Sequence, residues 1–270
     1  MTKLEYTFRN DTLFKSLFVK YPDLLKRLVA DLLGIKYESI GKFEITNPEM
    51  PPEAMGAKFT HLDINMTVNG QRVDLEIQVK NEHDYPERTL FHWAREYSTA
   101  LSEGVDYINL PRVVIISIIS FKLFGCKEYH SEFQPLEVTR HTPLTDRMAL
   151  HFFELTKLPK TVKAEDSVQL WLKLFKANTE EDIKKIEALG VSIMDQTITA
   201  YRSVTATEEF RTLERMRSDA RNNEASALGN VRRKVEKKWQ GVVMAKDELI
   251  AGQATRIAEL EAQLAKNRDT

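Results

Sequence analysis

The stretch HLDINMTVNGQRVDLEIQVK, residues 61–80, sets carboxylates at alternate positions on either side of an Asn-Gly pair. Asn69-Gly70 is the strongest short-range signal for a two-residue type I′ turn, and with that turn facing residues have numbers summing to 139. Thr67 then faces Arg72, Asn65 faces Asp74, Asp63 faces Glu76 and His61 faces Gln78. Side chains alternate along a strand, so Leu62, Ile64, Met66 and Val68 share an apolar face with Val73, Leu75, Ile77 and Val79. The other face is acidic and amide-rich. Directly opposed β-carbons lie about 4.5 to 5.5 Å apart, and like charges placed there are destabilising. A hard divalent cation, magnesium or manganese, turns the repulsion of Asp63 and Glu76 into ligation and keeps waters for a substrate phosphate to displace. A solvated face on which Arg72, Lys80 and water screen the acids is the ordinary alternative.

The elements around this hairpin can be read from periodicity. NDTLFKSLF spaces Leu13, Phe14, Leu17 and Phe18 as a helix behind a polar cap at Asn10 or Asp11, and DLLKRLVADLLG predicts a second helix from a cap at Asp23 to a stop at Gly34. YESIGKFEIT reads as a weak strand, and NPEMPPEAMG as a Pro-rich connection. HDYPERTLFHWAREYSTALSEG predicts a helix, with Asp84 and Glu87 at capping-box spacing, Pro86 in the first turn and Gly104 after the last. RVVIISIIS is apolar on both faces and reads as a central strand. The order through about residue 124 is helix, three strands, helix, strand.

Beyond it, EFQPLEVTR and MALHFFELTK read as a further strand pair, and the patterns are helical from Asp166 onward. From about residue 221 the chain is charged and Ala-rich. Leu228, Val235, Val242 and Leu249 are spaced by sevens, then Ile250, Ile257 and Leu264 in a register shifted by one. This predicts a long helix in an imperfect coiled coil, weakened by Gly229, Gly241 and Gly252. The expected organisation is a core over 1–124, a strand pair and helical extension over 125–220, and a coiled-coil-like tail over 221–270.

Composition narrows the class. A chain of 270 residues, 42% hydrophobic, can bury a full core. Its net charge of -1 gives no global attraction to nucleic acid or membrane, so a polyanion must be held by a local basic patch or a bound metal. One cysteine, Cys126, excludes an intrachain disulfide framework and fits a reducing compartment. The longest apolar run, VVIISIIS, is too short to span a bilayer, and MTKLEYTFRN lacks the apolar core of a signal peptide, so the expected location is the cytoplasm, with no membrane partner.

NDTLFKSLF, LDI, DLEIQ, YPERTLFHWAREY and the buried strand together resemble the Rpn family of recombination-promoting nucleases, which are also described as PD-(D/E)XK-type transposases. The likeness covers roughly residues 8–157, and its most specific piece is the spaced combination of LDI and EIQ. It implies an α/β, restriction-endonuclease-like core in the order αβββαβ, which is the order read above. It also implies metal-dependent phosphodiester hydrolysis in DNA, with Asp63 and Glu76 as ligands of Mg2+ or Mn2+. The lysine of the E-x-K signature is replaced by Gln78, whose amide can orient water or a phosphate oxygen but brings no positive charge. Lys80, two residues on, is the candidate for that charge, and a solvated strand end is its plainer reading.

Each flanking candidate has an ordinary reading beside the functional one. Asp11 is an additional active-site acid or a helix cap. Arg88 binds a DNA phosphate or Glu76, or is a surface arginine. Lys15 invites a phosphate reading, His61 a second metal or a phosphate, while Trp93 and Tyr97 read as packing. The densest positive charge is VRRKVEKKW, with Arg232, Arg233, Lys234, Lys237 and Lys238. It is either a solvated coiled-coil face or the DNA-backbone contact that non-specific affinity requires. The expectation is a metal-dependent DNA endonuclease that forms a homo-oligomer through its C-terminal helix. The alternatives are a catalytically silent DNA-binding or oligomerisation module of the same fold, and a nuclease acting on RNA.

Overall fold

A two-residue turn sets the register of the sheet. In the computed structural model, which describes residues 2–47, 64–100 and 106–268, Asn69 and Gly70 have φ of 49° and 83°, the left-handed values a type I′ turn needs. Asn69 also ties the turn to the segment before the first strand. Its Oδ1 accepts from the backbone N–H of Gly41 at 2.9 Å and Lys42 at 3.1 Å, and its Nδ2 donates to the Ser39 carbonyl at 2.9 Å.

The described residues form a six-stranded mixed sheet in the order β1-β2-β3-β4-β6-β5, with seven α-helices. The strands are β1 (Phe43–Ile45), β2 (Ile64–Val68), β3 (Gln71–Gln78), β4 (Val113–Ile119), β5 (His130–Phe133) and β6 (Met148–Glu154). The helices are α1 (Asp11–Lys20), α2 (Pro22–Leu33), α3 (Tyr85–Ser98), α4 (Ser167–Lys176), α5 (Glu180–Glu187), α6 (Ser192–Thr205) and α7 (Glu208–Arg268). β1, β2 and β3 pair antiparallel, β3, β4 and β6 run parallel, and β5 returns antiparallel on β6. The parallel step from β3 to β4 needs a crossover, which α3 supplies. All seven residues of β4 are buried, as an apolar strand covered on both faces should be.

The hairpin register is the expected one: Ile64 faces Leu75, Asn65 faces Asp74 and Thr67 faces Arg72. Its apolar face, Ile64, Met66, Val68, Val73, Leu75 and Ile77, joins the main core with α1, α2, α4 and α6. Each large side chain buried there contributes roughly 1.5 to 3 kcal/mol. A second cluster on the opposite face holds Tyr85, Val113, Ile115, Ile119, Leu150 and Phe152, with Trp93 and Tyr97 of α3 packed against it. The two rings stack with centroids 5.0 Å apart, and Trp93 Nε1 donates to the Val113 carbonyl at 3.2 Å, so both are packing residues.

The cap of α1 and the stop of α2 are the expected ones, and several other boundaries differ. Asn10 caps α1, its side chain accepting from the Leu13 N–H at 2.8 Å, while α2 starts at Pro22 with Asp23 inside the first turn. Gly34 ends α2 in the left-handed conformation, φ 65°. Asp84 occupies the N-cap of α3 without a side-chain capping bond, so the Asp84/Glu87 box does not form. That helix ends at Ser98, and the stop expected at Gly104 lies outside the described residues. The strand expected over 132–140 is confined to His130–Phe133, because Pro135 lacks an N–H for the ladder and the chain turns back to bridge Leu136 to Pro143. β3 stops at Gln78, which leaves Val79, expected in the core, 48% exposed.

The chain divides into two units, Met1–Arg215 and Met216–Thr270. α7 runs as one helix through all three glycines. Among the described residues no helix is long and apolar enough to cross a membrane.

Where β5 meets β6, His130 Nε2 and His151 Nδ1 lie 3.1 Å apart, with the His130 ring stacked on Phe153. Burial, followed by the opposing influence of Glu132 and then the charges of His130 and Arg112, leaves the His151 imidazole lowered to about 4. Between the ordinary histidine range and that value the unfolded chain binds more protons than the folded one, so stability is complete above pH about 6.5 and is lost as pH falls. Urea unfolding at pH 7 and pH 4.5 should show a loss of about 1 to 3 kcal/mol from this source. A His151→Phe variant should show a smaller loss.

Candidate active site

Alternation along β3 puts Asp74, Glu76 and Gln78 on one face, and that face is dry. They are 5%, 4% and 2% exposed. The solvated hairpin face, screened by Arg72 and Lys80, is therefore overturned: α3 covers it, and Arg72 instead donates to the Glu96 carbonyl and Thr99 Oγ1 at 2.9 and 3.0 Å.

Tyr85, the first residue of α3, donates its hydroxyl to Glu76 Oε1. Its ring is wedged edge-on against Phe121 and Phe152, and its carbonyl accepts from Thr89 Oγ1 at 2.8 Å. Burial first, then the charge of Glu76 and the bond to it, hold the Tyr85 phenol well above its ordinary range, so it remains a donor. Arg88 lies over the Tyr85 ring at 4.9 Å while Nη1 pairs with Glu82 at 3.0 Å. In the parallel register Glu76 stands beside Ser117 of β4, and Gln78 beside Ile119.

Gln78 Nε2 donates to the Lys80 carbonyl at 3.0 Å, and its Oε1 is buried with no donor among the described residues. An unsatisfied buried acceptor costs about 1 to 3 kcal/mol. An oxygen left bare beside a buried carboxylate suits a hydrated cation or a positioned water, so Glu76 and Gln78 fit one half of a hard-metal site. Among the described residues no three His, Cys, Asp or Glu side chains converge as a metal site. Asp63, the other expected ligand, and His61 lie outside the described residues.

Asp74 faces Asn65 across the hairpin at one wall of a cavity of about 290 Å3, lined also by Thr46, Thr67, Arg72 and Glu96. Asp74 Oδ1 and Asn65 Oδ1 are both buried without a partner among the described residues. Burial, then the charges of Glu76 and Glu96, push the Asp74 carboxyl well above the usual carboxylate range. Arg95 and Lys15 pull it the other way.

The remaining candidates are scattered. Lys15 is buried on α1, and Asp11 opens the same helix, its Oδ1 accepting from the Thr12 N–H at 3.0 Å. Lys80 follows the end of β3 and is exposed, off the ladder that would have fixed it to the Glu76 face. Arg232, Arg233, Lys234, Lys237 and Lys238 are all exposed on α7. Sequence reasoning did not single out Tyr85 or Asp74. The signal for Tyr85 was there: Tyr85, Thr89, Trp93 and Tyr97 recur every fourth residue and mark the face of α3 that must meet the sheet.

Residues 8–230 match the model of a family described as PD-(D/E)XK nuclease family transposase. No curated protein and no solved structure matches the chain.

Two substitutions test the electrostatics. Tyr85→Phe leaves a buried Glu76 oxygen without its donor and should cost about 1 to 3 kcal/mol in urea unfolding. Asp74 acts in the opposite sense to a paired carboxylate. Its raised folded pKa means that its stabilising contribution is complete below the ordinary carboxylate range and is lost as pH rises. Asp74→Asn, compared with the parent in EDTA, should therefore gain relative stability on going upward from pH 4, by at most about 1.4 kcal/mol per pH unit.

Proposed function

The chain belongs to the PD-(D/E)XK nuclease family of transposases, and we propose that it is a divalent-metal-dependent DNA endonuclease serving recombination or transposition. One observation carries the reading: the buried Glu76 carboxylate, oriented by Tyr85 and followed on the same face by the unpartnered oxygen of Gln78. A surface hairpin has no reason to bear the desolvation cost of that arrangement.

In this reading Asp63 and Glu76 hold Mg2+ or Mn2+. When bound, such a cation would supply Lewis acidity at a phosphoryl oxygen and make a bound water more acidic than bulk water. Tyr85 fixes one Glu76 oxygen, so the carboxylate presents a single orientation. Gln78 Oε1 accepts from the attacking water and aims it. The amide brings no positive charge. Buried Lys15 and exposed Lys80 are the two candidates to supply it near the phosphate, and Asp11 is the additional acid at the head of α1. Arg88, held by Glu82, and the basic run of α7 from Arg232 to Lys238 are the candidates for DNA-backbone contacts, which supply most non-specific affinity.

The replacement of lysine by Gln78 favours a second reading, a DNA-binding module without cleavage. Plasmid nicking and linearisation with magnesium, manganese or EDTA separates the two, run beside Asp63→Ala and Glu76→Ala proteins shown to be folded. The expected result is metal-dependent cleavage that falls by about 100-fold or more in both variants, the scale on which loss of one preorganised electrostatic group acts. DNA binding without cleavage supports the silent module. Cleavage confined to an RNA substrate moves the activity to RNA.

A further inference from the structure

The cavity between the hairpin and α3 has a composition that the hydrolytic reading does not use. Its polar wall is made by Thr46 beyond β1, Asn65 and Thr67 of β2, Arg72 and Asp74 of β3, and Glu96 of α3. The one cation in that wall is already engaged: Arg72 Nη1 lies 3.7 Å from the Glu96 carboxylate and donates to the Glu96 carbonyl. The two central residues, Asn65 and Asp74, face each other in the hairpin register, and each has a buried oxygen with no donor among the described residues. Asp74 itself is 95% buried, being 5% exposed.

Acceptors of this kind are satisfied by a ligand that brings N–H groups. A cavity of about 290 Å3 exceeds what a lone cation fills, and Arg72 in the wall opposes one. A flat heterocycle with an exocyclic amino group suits it better. Position then narrows the choice. Asp74 and Glu76 are two residues apart on one face of β3, which is about 6.8 Å along the strand. That separation is of the size between a nucleotide's phosphate and its own base.

We infer that this cavity receives an unstacked nucleobase bearing an amino group, adjacent to the phosphate at Glu76, and that Asn65 Oδ1 and Asp74 Oδ1, the two bare oxygens, accept from its N–H donors. The inference rests on the nuclease reading for the phosphate, and it adds a base preference to that reading. Removing a base from its stack costs a few kcal/mol, least in single strands. Thymine has no exocyclic amino group and brings a single donor, its ring N3–H, so it leaves one of the two oxygens bare and is disfavoured.

Equilibrium binding by the full-length protein of short single-stranded dA, dC and dT homopolymers, in EDTA and again with calcium, tests this without requiring cleavage. The expected result is that dA and dC bind about 5-fold or more tighter than dT. Asn65→Leu and Asp74→Leu, each checked for folding by its unfolding curve, should erase that difference while dT binding is retained. Because two variants are used, failure of one to fold leaves the other to decide. Equal binding of all three strands, or a preference that survives a folded variant, would overturn the base site while leaving the nuclease reading intact. If no strand binds in either condition, the nucleic-acid reading fails and the base site fails with it.

Discussion

A carboxylate and a primary amide have been taken out of water on β3, and much of the surrounding structure follows from keeping them satisfied. An ionised carboxylate in a dry interior costs several kcal/mol unless donors replace its water. Tyr85 is that donor for Glu76, and it can reach only because α3 starts where it does. The placement in turn requires the chain leaving β3 to cross directly over the acidic face before entering β4. The β3-α3-β4 crossover, the aromatic wedge of Phe121 and Phe152 around Tyr85, and the dryness of the Glu76 face are one arrangement.

Gln78 is held differently from Glu76. Its amide N–H is used inward, on the Lys80 carbonyl, which leaves the oxygen as the group presented to whatever occupies the site. A lysine at that position would present donors alone. A glutamine there thus presents an acceptor where a lysine would present donors. Lys15 brings a buried cation from a separate helix, whose charge reaches as far as Asp74.

What could be read from the sequence was whatever depends on neighbours in the chain. The Asn69-Gly70 turn dictated the pairing of Asn65 with Asp74, the two-sided apolarity of residues 113–119 placed β4 at the sheet's centre, and Asn10 capped α1. The burial of the acidic face was not legible, because its cover comes from a helix whose docking angle no local pattern encodes. The same holds for Asp74: its position opposite Asn65 was evident, but its isolation from water depends on Glu96 and α3. The capping box at Asp84 and Glu87 had the right spacing and did not form, which shows spacing to be a weaker constraint than the entry path that Tyr85 imposes.

The turn that organises the sheet is also its point of chemical ageing. Asn-Gly is the dipeptide most prone to deamidation, since a glycine N–H meets little hindrance in attacking the preceding side-chain amide. Here the amide of Asn69 is clamped by Gly41, Lys42 and Ser39, which keeps its carbonyl carbon turned toward the strand-leading segment. An isoaspartyl link here, with its extra main-chain atom, would disturb the two-residue turn that sets the hairpin register. The three hydrogen bonds that hold the Asn69 side chain thus bear both on the fold of the turn and on its chemistry.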